Sequence, residues 1–216
     1  MLIKEISLLT NDLVATERFY SDILQFAIYN KTASRISFSV GHSMLSFTYT
    51  ERQNPFYHFA FSIPSNKVDE AHRFIADKIE VLPFTPGTTI ADFSNWNAHA
   101  FYFHDNQKNI VEFIAHHDLH NDTNEPFTPS DIIGICEIGV PVEDVTEACK
   151  MFNEKYGLQY FVKGPRLQDF SVMGDTQGLF IVTKIGRGWL PTQQPAERFD
   201  TKVVFENNGQ VAELIL

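Results

Sequence analysis

One spacing recurs three times and narrows the fold more than any figure of composition. Glu5 lies seven residues before Asp12, His58 seven before Ser65, and Glu137 seven before Asp144. Each time, an apolar run of strand character leads to a residue whose side chain can start a helix. Strands are predicted at 2–10, 56–63 and 132–140, followed by helices over 13–24, 67–79 and 145–156, with Gly157 as a helix-ending residue. Short segments of strand character follow each helix. They fall near 25–30, at 35–40 and at 44–50 in the first unit. In the second they fall at 98–104 and 109–116, after a loop over 80–97. In the third they fall at 158–163, 168–174 and 178–184. A strand–helix–strand–strand–strand unit therefore repeats along the chain.

The ends of the units match as well. Leu45-Ser46-Phe47 in the first corresponds to Val111-Glu112-Phe113 in the second and to Ala212-Glu213-Leu214 near the C-terminus. Each unit presents a polar residue at two fixed points, on its first strand and its last. Two such half-sheets facing one another surround a cleft, and for the first two units the converging residues are Glu5, Ser46, His58 and Glu112. Glu112 sits mid-strand, beyond the turn at 104–108, and burying a carboxylate there is costly unless a cation meets it. It reads either as a metal ligand or as an exposed strand glutamate. His58 reads as a ligand or as a hydrogen-bonded core histidine. Carboxylate and imidazole donors on rigid strands suit a divalent first-row metal.

The rest of the chain bounds the function classes. A net charge of −10, from 17 basic and 27 acidic residues, argues against nucleic acid and anionic membrane as partners. Twenty Phe and seven Tyr suit a strand-rich, aromatic-lined interior. Cys136 and Cys149 are the two cysteines, and they read as buried thiols rather than a disulfide or zinc framework. No apolar run approaches membrane-spanning length and no signal sequence opens the chain, so a cytoplasmic location is the default expectation. Residues 117–131 are polar and aperiodic and read as a linker, with His116, His117 and His120 solvated. Glycine-rich phosphate loops, nucleophile elbows and HExxH motifs are absent from the sequence. Trp96, Asn97, His99 and Tyr102 lie on the approach to the Glu112 hairpin. Tyr102 and His99 are the acid–base candidates, while Trp96 reads equally as a cap on the sheet edge. Trp189, near Arg187, is a candidate lid that nothing local requires.

Several motifs resemble the vicinal oxygen chelate superfamily, which groups glyoxalase I, bleomycin and fosfomycin resistance proteins and extradiol dioxygenases. They are Asp12-Leu13 followed by Phe19-Tyr20 and Leu24-Gln25-Phe26, then His58 with Phe59-Ala60-Phe61, then Phe103-His104-Asp105 running into Asn109-Ile110-Val111-Glu112-Phe113. The pattern covers 1–116 and returns, shortened, over 132–216. The resemblance implies an α+β fold of paired βαβββ modules, whose mixed sheet makes a U around a cleft and a divalent metal. On that basis 1–116 is a complete two-module domain, 117–131 a linker, and 132–216 a degenerate, truncated half that packs on, or dimerises with, the first. Position by position, the implied ligands are His58, Glu112 and Glu5. Ser46 departs, because glyoxalase I has a ligating glutamate there. One His with two carboxylates also departs from the two His and one carboxylate of extradiol enzymes. Glu137 and Glu213 match two of the four positions in the second half, where no histidine matches the third, and Glu137 reads as a relic or a hydrogen-bonding residue. The first strand and helix of a fourth module are expected to be missing. The implied function is a metal-dependent enzyme that chelates a small, oxygen-bearing substrate to Fe, Mn, Ni or Zn. The alternative is a non-catalytic protein of the resistance type that sequesters a small molecule. A homodimer stays open.

Overall fold

The computed structural model describes residues 1–51 and 54–216. The first unit runs β1 (Leu2–Thr10), α1 (Leu13–Arg18), β2 (Ala27–Lys31), β3 (Arg35–Val40) and β4 (Ser43–Tyr49). The second runs β5 (His58–Ser62), α2 (Val68–Ala76), β6 (Ile90–Phe93), β7 (Ala98–His104) and β8 (Ile110–His116). The third runs β9 (Gly134–Val142), α3 (Val145–Tyr156), β10 (Phe170–Asp175) and β11 (Gly178–Lys184). A small ribbon, β12 (Gly188–Trp189) with β13 (Gln194–Pro195), precedes a closing hairpin, β14 (Lys202–Asn207) and β15 (Gln210–Ile215).

In every unit the first strand lies parallel to the last: β1 with β4, β5 with β8, and β9 with β11. Parallel neighbours need a crossover, which the helix of each unit supplies. The first strands then pair antiparallel with a strand of another unit. β5 joins β9, which gives a seven-stranded sheet in the order β10-β11-β9-β5-β8-β7-β6. β1 joins β14, which gives a six-stranded sheet in the order β15-β14-β1-β4-β3-β2. The architecture is the expected α+β fold of curled mixed sheets.

The partners differ from those expected. Unit two shares its sheet with unit three, and unit one shares its sheet with the C-terminal hairpin. The segment 117–131 brings the chain back to the free edge of β5, where the Ile133 amide donates to the Ser62 carbonyl at 2.9 Å. β14 also fills the place beside β1 that a first strand would take. No helix follows β14 before β15, among the described residues.

Both sheets contribute to one core, in which Ile6, Phe38, Phe47 and Phe205 from the first meet Phe59, Phe61, Phe113 and Phe180 from the second. A tight junction locks them together. Gly41, in the β3–β4 turn, has a φ of +54°, and a Cβ there would lie 2.0 Å from the Ile133 carbonyl oxygen. The His42 amide donates to that same oxygen at 3.0 Å.

Local boundaries follow side-chain chemistry. Asp144 caps α3 and Gly157 ends it at φ +68°, so α3 spans the predicted residues. The predicted helix 13–24 instead splits into α1 and a π-helical turn over Phe19–Ile23. The widened turn holds Tyr20 in the core, where its hydroxyl donates to Asp105 at 2.7 Å. Loops 80–97 and 185–199 contain β6 and the β12–β13 ribbon, while 158–163 supplies one bridge, Tyr160 with Met173. Asn208 and Gly209, both at positive φ, close the β14–β15 hairpin. Among the described residues no helix is long and apolar enough to cross a membrane.

Candidate metal centre

The centre is built around Ala60. β5 lies between β8 and β9, and Ala60 is opposite Glu112 on one side and Glu137 on the other. Residues directly opposite each other share a face of the sheet, and so do residues two apart on one strand. His58 therefore joins Glu112 and Glu137 on that face, and the single methyl of Ala60 leaves room for all three side chains. One donor atom from each lies within 4.8 Å of the others. His58 Nε2 is 3.5 Å from Glu112 Oε2, and all three side chains are buried. Tyr102 extends the row, opposite Glu112 on β7.

The His58 ring is oriented for ligation. Nδ1 lies 3.2 Å from the Ile110 carbonyl oxygen, so the proton belongs on Nδ1 and the Nε2 lone pair faces the carboxylates. Burial keeps this imidazole neutral, with its pKa pushed down to about 4. Burial also raises the pKa of Glu112, and the neighbouring Glu137 charge adds to the shift, against a hydrogen bond from Tyr102. Burial raises Glu137 as well. Tyr102 is held far above the ordinary phenol range by burial and then by the two carboxylates.

Glu137 Oε1 is buried and has no hydrogen-bond partner among the described residues. His116 Nε2 lies 3.9 Å away, and neither nitrogen of that buried ring has a hydrogen-bond partner among the described residues. Unpaired buried polar atoms are rare and costly. Two buried carboxylates and an imidazole with a free lone pair are a donor set complementary to a divalent cation, so these residues fit the group that the fold implies.

By the same register, Ile181 on β11 falls where a fourth polar residue would stand, since Leu179 is opposite Glu137 and Ile181 opposite Gly139. That side opens into a cavity of about 240 Å³. Trp189 of the ribbon roofs it, with its ring 5.0 Å from that of His58. The indole rests on Gly139, where a Cβ would come within 2.8 Å of it.

His58 and Glu112 are brought together as the sequence reading placed them, but Glu5 is not with them. It lies on β1 in the other sheet, where its Oε1 accepts from Arg35 Nη2 at 2.7 Å, Ser7 Oγ at 2.9 Å and Ser46 Oγ at 3.1 Å. The equivalence of position does hold. Ser37, Ser46, Ser7 and Lys202 form the row that Tyr102, Glu112, Ala60 and Glu137 form in the second sheet. What differs is the charge, because Lys202 stands where the second sheet has Glu137, and Arg35, at the position of Ala100, adds a second built-in cation. Glu213, exposed, pairs with Lys202.

Glu137 is the residue that sequence reasoning set aside. Its seven-residue spacing before Asp144 was the available signal, and the missing histidine in its own unit obscured it. His99 is on the face of β7 away from Tyr102, with Nδ1 2.8 Å from His117 Nε2. His116, expected in solvent, is the buried end of β8.

No family model matches the chain, and no curated protein matches it. Solved structures do. A provisionally named dioxygenase from Bacillus subtilis is 13% identical, with a TM-score of 0.62 over 100% of this chain and 84% of that one. Glyoxalase I from Zea mays, as a V278E mutant, is 14% identical, with a TM-score of 0.53 over 85% of this chain and 67% of that one. The chain has the vicinal oxygen chelate fold.

Proposed function

We propose that the chain is a metal-dependent enzyme that acts on a small, oxygen-bearing substrate, with His58 Nε2 and the carboxylates of Glu112 and Glu137 as the metal ligands. The observation that carries this reading is the convergence of three buried donors around Ala60, one of them a carboxylate oxygen with no donor of its own. A divalent ion bound there supplies Lewis acidity toward two adjacent substrate oxygens. Everything else falls to the chain. Ile114, Ile181 and Trp189 give the donors apolar walls. Tyr102, protonated and hydrogen-bonded to Glu112, is the group placed to hold or pass a proton at its hydroxyl.

A second reading is sequestration of an aromatic ligand without turnover. The aromatic walls, with Phe93, Trp96, Tyr102, Phe170 and Trp189, favour it. Metal analysis separates the two, on protein purified without chelator beside His58→Ala and Glu112→Ala variants. About one ion per chain, lost in both variants, supports the enzyme. A metal-free wild type that still binds aromatic ligands supports sequestration.

A further inference from the structure

We infer that the cavity takes substrates bearing a carboxylate, and that Arg187 is the specificity-determining residue that receives it. This rests on the proposal that the cavity is the substrate site. The described lining is largely apolar apart from the donors on its floor and Tyr102, and Arg187 is its one cationic side chain. A flat apolar body fits between the aromatic walls, with oxygens directed to the floor and an anionic group directed to the guanidinium.

The geometry holds Arg187 ready. Its amide donates to the Lys184 carbonyl at 3.0 Å, and its carbonyl accepts from the Ala196 amide at 2.8 Å, which fixes the backbone at the root of the ribbon. The guanidinium carbon lies 4.3 Å from the centroid of the Phe170 ring, another wall of the cavity. Asp169 approaches from the Nε side at 3.3 Å, and no described residue accepts a hydrogen bond from the guanidinium. The fork of Nη donors is therefore left for a ligand. Such a fork matches the two oxygens of a carboxylate, and partial burial strengthens the pair relative to one in open solvent.

Calorimetric titration of metal-free protein tests this with phenylacetate and 3-phenylpropanoate against phenylacetamide and 3-phenylpropanamide, neutral molecules of the same shape. Wild type is expected to favour a carboxylate over its amide by about tenfold or more. Arg187→Gln should abolish that preference by lowering carboxylate affinity to about the level of the amide, while Asp169→Asn should keep or enlarge it. Equal affinity for acid and amide in wild type, or a preference that survives Arg187→Gln, overturns the inference. Because the readout needs no metal, an Arg187-dependent preference in a chain that binds no ion would uphold this inference and refute the metal reading. Tight metal binding with no carboxylate preference would do the reverse.

Discussion

The titrating groups at the centre pull stability in opposite directions. His58 and His116 each have a pKa pushed down to about 4 by burial, against roughly 6.5 in an unfolded chain. Between those values the unfolded state binds more protons, so stability rises with pH. The contribution is complete above roughly pH 6.5 and is lost as pH falls toward 4. Glu112 and Glu137 behave in the reverse way, since burial raises both. In metal-free protein their contribution is complete at acid pH and is lost as pH rises through the raised values. A bound divalent ion replaces those protons and removes this alkaline loss. Chemical denaturation of metal-free protein across pH 4–9 should therefore show stability falling on both sides of a maximum. Adding a divalent metal should flatten the alkaline side, and an alkaline side that ignores metal would contradict the ligand assignment. Metal binding near neutral pH should also release protons, which calorimetry in buffers of differing ionisation enthalpy would detect.

Two connecting elements aim these residues. In the turn before β8, Asp105 accepts from the Gln107 amide at 2.8 Å, the Asn109 amide at 2.9 Å, Asn109 Nδ2 at 2.8 Å and the Tyr20 hydroxyl at 2.7 Å. Asn109 Oδ1 in turn accepts from the Tyr57 amide at 2.8 Å, which sets the start of β5 beside β8. Asp105→Ala strands several buried donors, and a loss of about 3 kcal/mol in urea unfolding is expected. The second element is the β12–β13 ribbon. Gly139→Val forces Trp189 off its seat, at a cost of about 1–3 kcal/mol. The expected signature is a red-shifted tryptophan emission, and an unshifted spectrum would mean that the ribbon does not depend on this contact. The sequence announced these elements unevenly. The boundaries of α3 were legible because Asp144 and Gly157 punctuate them. The π-helical turn after α1 was not, because Phe19, Ile23 and Leu24 keep helical spacing while Tyr20 is pulled inward by an acid 85 residues away. The ribbon carried no alternating pattern at all.

At the scale of the whole molecule, neither half completes a sheet alone. β5 needs β9 and β1 needs β14, so a 1–116 fragment exposes two first-strand edges and part of the shared core. It is expected to show no cooperative unfolding transition, whereas the full chain should unfold in one step by circular dichroism. A fragment that unfolds cooperatively would contradict this. The repeat was readable because spacing within a unit is local. Sheet partnership was not, because equivalent units offer equivalent edges and nothing in Glu5 or Glu137 says which edge lies beside β5. The fold was thus legible, while Glu5, read together with His58 and Glu112, lies in the other sheet. The most direct measurement follows from that ambiguity: metal content by mass spectrometry for Glu137→Gln and Glu5→Gln, each purified beside wild type without chelator. About one ion per chain is expected in wild type and in Glu5→Gln, with most of it lost in Glu137→Gln. Metal kept by Glu137→Gln, or lost by Glu5→Gln, would contradict a centre assembled across the second and third units.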